Sequence, residues 1–400
     1  MFGALFSVSQ GRVYVAGSSS APPVAHIRKS VRESHDLTEL DRDAADRSLI
    51  VRDGASISDA VRAIETSRMS VAVVLGDDNR IIGTITDGDV RRALLAGHGL
   101  EDGVSVALNP RPVICKVEAA EAALRALFTA HGVEAIPLVD QEGRYVRIAH
   151  VNTFRSEYDG AVPKVVVAAA VIMAGGEGTR LRPLTVDMPK PMVSVGGMPI
   201  IERTVRDLAR VGVERVFVAI NYQGHYIEKH LGDGARFGVT VEYLRETEKL
   251  GTAGALSLLP QLPDGPILVV NGDILTSSDY GRLLVHHRET GASITVGAIQ
   301  HQVDIPFGVL STEGANVTDV AEKPSQRILC NAGIYVLEPS TLDLFGASKA
   351  VNMTDIIKIA LGRAVPVVAF PIHEYWSDVG TGSDLEEARR VVELMENESR

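Results

Sequence analysis

Apolar and polar positions follow two different periods in the second half of the chain. Short apolar runs of strand length are separated by stretches with apolar residues three and four positions apart, a spacing typical of amphipathic helices. The predicted strands are VVVAAAVIMA, RVFVAI, VTVEYL and PILVVNGDIL, and the predicted helices are PIIERTVRDLARVG, YIEKHLG and AGALSLLPQL. Strands that alternate with helices form parallel sheets covered on both faces. The pattern therefore predicts a doubly wound α/β domain with a mainly parallel sheet.

Beyond residue 294 the pattern changes. Hairpin strands such as FGVLSTEG and ILCNAGIYVL are mixed with helices that we predict near 340–347, 353–363 and 383–397.

The first half of the chain carries one pattern twice. A short apolar strand, an amphipathic helix, a hydrophobic strand, an acidic turn and another strand begin at Leu49. SVAVVLGDDNRIIGTIT of this copy aligns with EAIPLVDQEGRYVRIAH further on, strand on strand and turn on turn. Such internal similarity indicates a duplicated α+β module.

Changes in composition divide the chain into four segments. Its 400 residues exceed what one core usually supports, which is about 250 to 300 residues. We predict an N-terminal tail at 1–45, the duplicated module at 46–158, a linker at 159–164 within the polar stretch RSEYDGAVPK, and the α/β domain at 165–400.

Composition and charge exclude several classes of protein. With 45% hydrophobic and 23% charged residues, the chain is neither disordered nor collagen-like nor a coiled coil. A formal net charge of −11 disfavours binding to nucleic acid or anionic membranes. The longest apolar run, Val165 to Ala174, is too short for a bilayer, which needs about 20 residues.

The cysteines and the N-terminus indicate the compartment. Cys115 and Cys330 lie far apart, a usage typical of a reducing environment, and we expect both to be buried thiols. The N-terminus lacks the basic segment of a secretory signal. We therefore expect a cytoplasmic protein.

A glycine-rich turn, GGEGTRLRP at 175–183, follows the first strand of the α/β domain. Glycines at the carboxyl end of a parallel strand let backbone N–H groups approach phosphate oxygens without a Cβ in the way. The arginines add positive charge. Because Pro183 interrupts the helix that a dinucleotide fingerprint requires, a dehydrogenase is disfavoured. PKPM then places Lys190 between two prolines.

These two segments resemble the hallmark of the sugar-1-phosphate nucleotidyltransferases, which have a Rossmann-like sheet. In that family the loop wraps a nucleoside triphosphate, the arginine holds the leaving pyrophosphate, and the lysine bridges phosphates near the reacting centre. The resemblance assigns these catalytic roles to Arg180 and Lys190. It assigns nucleotide binding to Ala174, Gly175, Gly176, Gly178 and Thr179.

Two further segments resemble the family in the same order. LGTAGA at 250–255 resembles the segment that receives the nucleobase and ribose, which adds Gly251 and Thr252 to the nucleotide site. NGD at 271–273 adds Asn271 and Gly272, and the resemblance makes Asp273 a magnesium ligand. An aspartate that ends a strand can also cap a helix, although Ser277 or Ser278 could fill that role here.

Four later elements resemble the sugar side of the family's site. They are FGV with Phe307 in place of the family's tyrosine, EKP, NAGIY and WSDVG. The resemblance makes Lys323 a catalytic cation that meets the sugar phosphate and Asp378 the second metal ligand. It assigns sugar binding to Gly308, Glu322, Asn331, Gly333 and Trp376.

The chemistry explains these residue types. A sugar-1-phosphate oxygen attacks the α-phosphate of a triphosphate while both reactants carry negative charge. Cationic side chains together with Mg²⁺ would reduce the repulsion between the two negatively charged reactants. No general base is needed, because the phosphate nucleophile is already ionised. We therefore expect no catalytic histidine, and we expect the pair His286-His287 to be solvated or structural.

The repeated module resembles a tandem pair of cystathionine-β-synthase (CBS) domains, through the run TDGDVRRALL at 86–95. Such pairs commonly bind adenine nucleotides, and the resemblance assigns this role to Thr86 and Asp89. The second copy has His150-Val151-Asn152 with no matching aspartate, so a role in packing alone stays open. Assembly as a homo-oligomer is also expected.

The substrates follow from a finer resemblance. A CBS pair together with LGTAGALSLL and EYWSDVG resembles the glucosamine-1-phosphate guanylyltransferases of legionaminic acid pathways, which implies GTP as donor and GDP-glucosamine as product. Uridylyl or thymidylyl transfer and guanylyl transfer to mannose-1-phosphate stay open. A catalytically silent, nucleotide-sensing subunit is the alternative from another class.

Overall fold

The computed structural model describes residues 48–67, 69–151, 167–345 and 350–398, together with two short strands near the N-terminus. The chain divides into two units, Met1–Val162 and Pro163–Arg400. The linker predicted at 159–164 and most of the tail predicted at 1–45 lie outside the described residues. Within that tail, β1 (Phe6–Ser9) and β2 (Arg12–Val15) pair antiparallel, a hairpin that the sequence analysis did not predict. Its signal is the alternation of apolar and polar residues around a Gln-Gly pair.

The first unit contains one β-α-β-β order twice. The first copy consists of β3 (Ile50–Arg52), α1 (Ile57–Ser67), β4 (Val71–Leu75) and β5 (Ile81–Thr86), followed by α2 (Asp87–Leu95). The second consists of β6 (Cys115–Lys116), α3 (Glu121–His131), β7 (Ala135–Val139) and β8 (Tyr145–His150). In each copy the first two strands are parallel and the last two antiparallel. The shared topology is the one expected of a duplicated module.

The two copies share a buried cluster. Val71 and Val73 of β4 belong to the same apolar cluster as Ile114, Val139 and Ile148 of the second copy. Each three-stranded sheet is too small to bury its own apolar face, so the copies cover one another.

The second unit is built on a seven-stranded sheet flanked by helices. Its strands are β9 (Ala169–Met173), β10 (Ser194–Val195), β11 (Met198–Pro199), β12 (Arg215–Ile220), β13 (Thr240–Arg245), β14 (Ile267–Asn271), β15 (Ile274–Thr276), β16 (Ile294–Asp304), β17 (Val309–Glu313), β18 (Asn316–Ala321), β19 (Ser325–Leu337), β20 (Val367–Ile372) and β21 (Trp376–Asp378). Its helices are α4 (Ile200–Arg210), α5 (Gly224–Leu231), α6 (Gly251–Gly254), α7 (Tyr280–Thr290), α8 (Met353–Gly362) and α9 (Gly382–Glu398).

The large sheet has the order β13-β12-β9-β14-β19-β16-β20. The first four strands are parallel, and β16 pairs parallel with β20, whereas β19 runs antiparallel to both of its neighbours. Alternate residues of β9 enter two different buried clusters, Ala170 and Ile172 in one and Ala169 and Val171 in the other. Helices therefore cover both faces, and the prediction of a doubly wound, mainly parallel sheet is confirmed.

The predicted helix at 253–262 is wrong in extent. The structure has the four-residue helix α6, followed by a 3₁₀ turn over Ala255–Leu258. Gly254 lowers the helix propensity of this segment, and Leu259 takes the extended conformation that the following Pro260 favours. A 3₁₀ segment, Pro339–Phe345, replaces the helix predicted at 340–347.

Other local expectations have mixed outcomes. Asp279 caps α7 by accepting from the Gly281 and Arg282 N–H groups, so neither Ser277 nor Ser278 has that role. Cys115 is buried as expected, but Cys330 is half-exposed on β19. His287 is buried against Thr295 and Glu338, which makes it structural.

Among the helices of the described residues, none is long and apolar enough to cross a membrane.

An ion-pair network joins α4 to α5 and gives a testable prediction. Glu202 is buried, accepts two hydrogen bonds from Arg206 at 2.9 and 2.7 Å, and lies 2.7 Å from His230 Nε2. Burial raises the pKa of Glu202, but the hydrogen bonds from Arg206 and His230 outweigh it, and the pKa is lowered overall. The carboxylate therefore stabilises the fold above its unfolded pKa, and this contribution is lost as pH falls through the lower folded pKa.

We expect Glu202→Gln to lower the free energy of unfolding by about 2 kcal/mol at neutral pH, because it leaves cations without their partner. The difference from the parent should shrink once the pH falls below about 4, near the ordinary glutamate pKa. Urea unfolding at several pH values measures both effects. Glu214→Gln, at an exposed position, is the control and should change little. A pH-independent difference would contradict the role given to the charge.

Candidate active site

A cavity of about 460 Å³ opens at the carboxyl ends of β9, β13 and β14. In open α/β sheets this edge is where ligands bind. The cavity brings together most of the residues predicted for the nucleotide and the catalytic centre: Ala174, Gly175, Gly176, Gly178, Thr179, Arg180, Lys190, Gly251, Thr252, Asn271 and Asp273. Gly272 instead packs on β9, where its N–H donates to the Met173 carbonyl at 2.8 Å.

The glycine-rich loop lies directly on Lys190. Gly178 has φ +59°, and a β-carbon there would lie 2.8 Å from Lys190 Cβ, so a side chain fits neither the backbone nor the space. The buried Thr185 donates its hydroxyl to the Gly178 carbonyl at 2.7 Å and holds the turn in place. The loop therefore lies over the lysine at one wall of the cavity.

Lys190 connects the two predicted metal ligands. Its side chain is 8% exposed, and Nζ donates to Asp273 Oδ2 at 2.6 Å and to Asp378 Oδ1 at 2.9 Å. The two aspartates are far apart in sequence, but β15 and β21 pair antiparallel with Ile274 opposite Asp378. This pairing places both carboxylates around one ammonium group.

Arg180 lies on the other side of Asp378. Its Nη2 is 3.8 Å from Asp378 Oδ2, and its guanidinium packs on Gly380. The side chain is 68% exposed, so it can turn toward a bound anion. The site thus combines two cations with two carboxylates at the rim of the sheet.

The two carboxylates fit a magnesium ion. Carboxylate oxygens are the ligands that Mg²⁺ prefers, and Asp273 and Asp378 both already contact the same cation, the Lys190 ammonium. Their side chains are 31% and 42% exposed, and Asp273 lines the cavity.

Three of the predicted sugar-binding residues lie beside this centre. The Trp376 indole N–H donates to the Ala332 carbonyl at 2.9 Å, and Asn331 Oδ1 accepts from the Gly333 N–H at 2.9 Å. Gly333 leaves room for the Asn271 amide, since a β-carbon there would lie 2.5 Å from Asn271 Nδ2. Asn271 Oδ1 is buried and has no hydrogen-bond partner among the described residues. Such an acceptor suits a ligand hydroxyl or N–H group.

The remaining sugar-side residues are not brought to the cavity. Gly308 and Glu322 lie close together, since a β-carbon on Gly308 would be 3.1 Å from Glu322 Oε2. Glu322 and Lys323 are exposed, Lys323 with φ +45°, and neither lies on the described wall of the cavity. Both flank the two-stranded β17–β18 ribbon, outside the large sheet. The structure therefore does not place Lys323 beside Arg180 and Lys190.

Sequence reasoning missed three charged residues of the cavity wall. Glu177 and Lys249 pair across it at 2.7 Å, and Lys249 lowers the pKa of Glu177. Glu246 lines the cavity directly after β13. Its signal is a carboxylate at the carboxyl end of a parallel strand, and Asp273 has the corresponding position after β14.

In the first unit, Thr86 and Asp89 pair with one another. Asp89 Oδ2 accepts from the Thr86 N–H at 2.8 Å and from its hydroxyl at 2.6 Å, which forms a capping box at the start of α2. The described contacts of these two residues thus fix the helix start.

Comparison with known proteins gives relatives for each unit. Residues 169–393, more than half of the chain, match the Nucleotidyl transferase family model, and residues 42–96 match the CBS domain model. A mannose-1-phosphate guanylyltransferase of Mycobacterium tuberculosis is 33% identical over 223 residues, which cover 54% of this chain and 62% of the relative. A mannose-1-phosphate guanyltransferase of Yarrowia lipolytica is 34% identical, with 54% and 61% covered.

The chain therefore spans a little over three fifths of the length of these relatives. Among solved structures, HddC from Yersinia pseudotuberculosis aligns with a TM-score of 0.45 and 25% identity, covering 56% of this chain and 99% of that one. Through the family model matched by residues 169–393, the chain belongs to the Nucleotidyl transferase family, with an N-terminal CBS domain.

Proposed function

We propose that the protein transfers a guanylyl group from GTP to glucosamine-1-phosphate, releasing pyrophosphate and forming GDP-glucosamine. The observation that supports nucleotidyl transfer is the Lys190 ammonium, held between Asp273 and Asp378 beneath a glycine-rich loop. The names of the relatives support guanine as the base. They also make mannose-1-phosphate the second candidate acceptor, whereas the CBS pair and the segments LGTAGALSLL and EYWSDVG support glucosamine-1-phosphate.

The chain's own residues would act by charge and position. An oxygen of the sugar phosphate attacks the α-phosphorus, the new P–O bond forms as the bond to the β-phosphate oxygen breaks, and pyrophosphate leaves. Lys190 and Arg180 supply positive charge where the two anions meet, and the backbone N–H groups of 175–179 face the phosphates. No proton has to leave the nucleophile. Asp273 and Asp378 would hold Mg²⁺, which supplies further neutralisation of the phosphate charge.

Measurement of pyrophosphate release tests this function. The full chain is assayed with GTP, UTP, TTP, CTP and ATP, each against glucosamine-1-phosphate, mannose-1-phosphate and glucose-1-phosphate. Turnover with GTP and glucosamine-1-phosphate supports the proposal. Turnover with GTP and mannose-1-phosphate, but not with glucosamine-1-phosphate, would identify mannose-1-phosphate as the acceptor instead. Absence of release from every pair would favour the silent nucleotide sensor.

For the first unit we propose an adenine-nucleotide site that includes Thr86 and Asp89. Its support is the CBS match over 42–96 and the position of both residues at the start of α2. We expect isothermal calorimetry of the full chain to show AMP binding that excess GTP does not displace. If the titration with AMP releases or absorbs no binding heat, the module would have a role in packing alone. Assembly as a homo-oligomer, which light scattering would measure, remains a prediction.

A further inference from the structure

An ion pair joins the glycine-rich loop to the segment that follows β13. Lys249 Nζ lies 2.7 Å from Glu177 Oε1, and both residues line the cavity. Glu177 belongs to the loop itself, between two of its glycines, whereas Lys249 lies two residues before Gly251. The pair therefore connects the two stretches of backbone between which the proposed triphosphate would lie.

The wall of the cavity carries no net charge in this arrangement. Among the described residues that line it, three are cations and three are carboxylates: Arg180, Lys190, Lys249, Glu177, Glu246 and Asp273. Two aspartates hold Lys190, and Glu177 holds Lys249. A triphosphate is a polyanion, so its binding requires that cations turn from carboxylates to phosphate oxygens.

The side chain of Lys249 is able to change its partner, while the backbone beside it is anchored. The side chains of Lys249 and Glu177 are 82% and 40% exposed. Leu250, the next residue, is buried, and its carbonyl accepts from the Val351 N–H at 2.8 Å. Ion pairs at exposed positions are weak, because solvent screens them and two side chains have to be ordered. The contact with Glu177 therefore opposes an exchange of partner only slightly.

The ammonium group of Lys249 lies beside the loop that would hold the phosphates. Because it contacts the Glu177 side chain, it lies within about one side-chain length of the loop backbone. With the α-phosphate at Lys190, the N–H groups of this loop are left for the β- and γ-phosphates. The hydrogen bond from Lys249 lowers the pKa of Glu177, so this carboxylate is ionised at neutral pH and repels phosphate. Glu177 and the triphosphate thus compete for one ammonium group.

We propose that Lys249 binds the terminal phosphates of the triphosphate, and that its pair with Glu177 is a latch that the substrate opens. This inference rests on the proposed function, because it adds a third cation to the same site. In the free protein Glu177 holds the ammonium group. When the triphosphate enters, phosphate oxygens replace the carboxylate as acceptors, and the three N–H donors of a lysine can contact two phosphates. Once pyrophosphate has left, Lys249 returns to Glu177.

The test removes Lys249 in a protein that already lacks the competing carboxylate. In Glu177→Gln we expect the KM for GTP to fall about threefold, within the strength of an exposed ion pair. In Glu177→Gln/Lys249→Met no carboxylate is left unpaired. The KM for GTP should nevertheless exceed that of Glu177→Gln about tenfold, because a charge-assisted hydrogen bond to phosphate is lost. The kcat and the KM for the sugar phosphate should change little, since this contact is present before and during the reaction.

Inorganic pyrophosphate tests the same contact without a base or a sugar. Calorimetry of the full chain with pyrophosphate and Mg²⁺ should give a dissociation constant about tenfold higher in the double variant than in Glu177→Gln. Lys249→Arg keeps the charge and should retain most of the parent's affinity for pyrophosphate. Lys229→Met in the Glu177→Gln background removes an exposed lysine off the described cavity wall, and it should leave this affinity unchanged. Thermal unfolding of each variant shows that the fold is intact.

The outcomes separate the latch from the function on which it rests. If Glu177→Gln and the double variant have the same KM for GTP and the same affinity for pyrophosphate, Lys249 only neutralises Glu177. The inference is then overturned, while turnover with GTP still supports the proposed function. A higher KM for GTP in Glu177→Gln would show that Glu177 is no competitor, and the latch would be wrong. If no triphosphate supports pyrophosphate release but loss of Lys249 weakens pyrophosphate binding tenfold, the proposed function fails and the phosphate contact stands.

Discussion

Replacing Asp273 with asparagine should lower kcat by about a thousandfold or more, which corresponds to about 4 kcal/mol of transition-state stabilisation. Asp273 is one of the two carboxylates that would hold Mg²⁺, and it also accepts the 2.6 Å hydrogen bond from Lys190. The asparagine amide keeps the shape and one acceptor oxygen but loses the negative charge. Steady-state pyrophosphate release gives kcat, and a Mg²⁺ titration of the rate should show a weaker apparent affinity for the ion.

The matched control is Asp279→Asn, six residues further along the chain. Asp279 caps α7, and asparagine caps helices about as well, so stability and turnover should both stay near the parent values. Both variants lose one negative charge, which removes any effect of net charge from the comparison. Turnover of Asp273→Asn within tenfold of the parent would remove that aspartate from its assigned role.

The centre was predicted from motifs that resemble those of one family, and its residues come together because several of these motifs lie at strand ends. Asp273 follows a run of apolar residues, and the carboxyl ends of parallel strands converge at one edge of the sheet. The loop at 175–183 comes directly after β9, an inner strand of the sheet, and therefore lies at the same edge. The approach of Asp378 to Asp273 could not be inferred from residue patterns alone, because it depends on the antiparallel pairing of two three-residue strands.

The sequence specifies least where the backbone leaves the sheet. Lys323 belongs to the EKP motif and lies beside the exposed β17–β18 ribbon, whose position no hydrophobic pattern specifies, so its assigned role stays a prediction. The helix predicted at 253–262 does not form as one α-helix, because Gly254 and Pro260 oppose its apolar periodicity. Glu246 was overlooked since an isolated glutamate after a strand is most often solvated. Its position beside Gly175 on the cavity wall is visible only in the structure.

The substitution Lys190→Met should abolish most turnover and make the stability of the fold depend on Mg²⁺. Methionine keeps an unbranched apolar stem of similar length, so the packing under the glycine-rich loop is largely retained. The variant leaves the carboxylates of Asp273 and Asp378 facing one another without the ammonium that now lies between them. Two like charges at close range destabilise the folded state, and a divalent cation would relieve their repulsion.

We therefore expect the melting temperature of Lys190→Met to fall in EDTA and to recover with millimolar Mg²⁺, by a larger interval than in the parent. Its kcat/KM should fall about a thousandfold even at saturating Mg²⁺, because the charge that faces the phosphates is lost. Lys229→Met, at an exposed position on α5, is the control and should show neither effect. Equal Mg²⁺ responses in parent and variant would contradict the placement of the ion between these carboxylates. Low turnover with unchanged stability would instead restrict the role of Lys190 to contact with the substrate. The melting temperature reports the contact of its ammonium with the two carboxylates, whereas kcat/KM reports its contact with the phosphates.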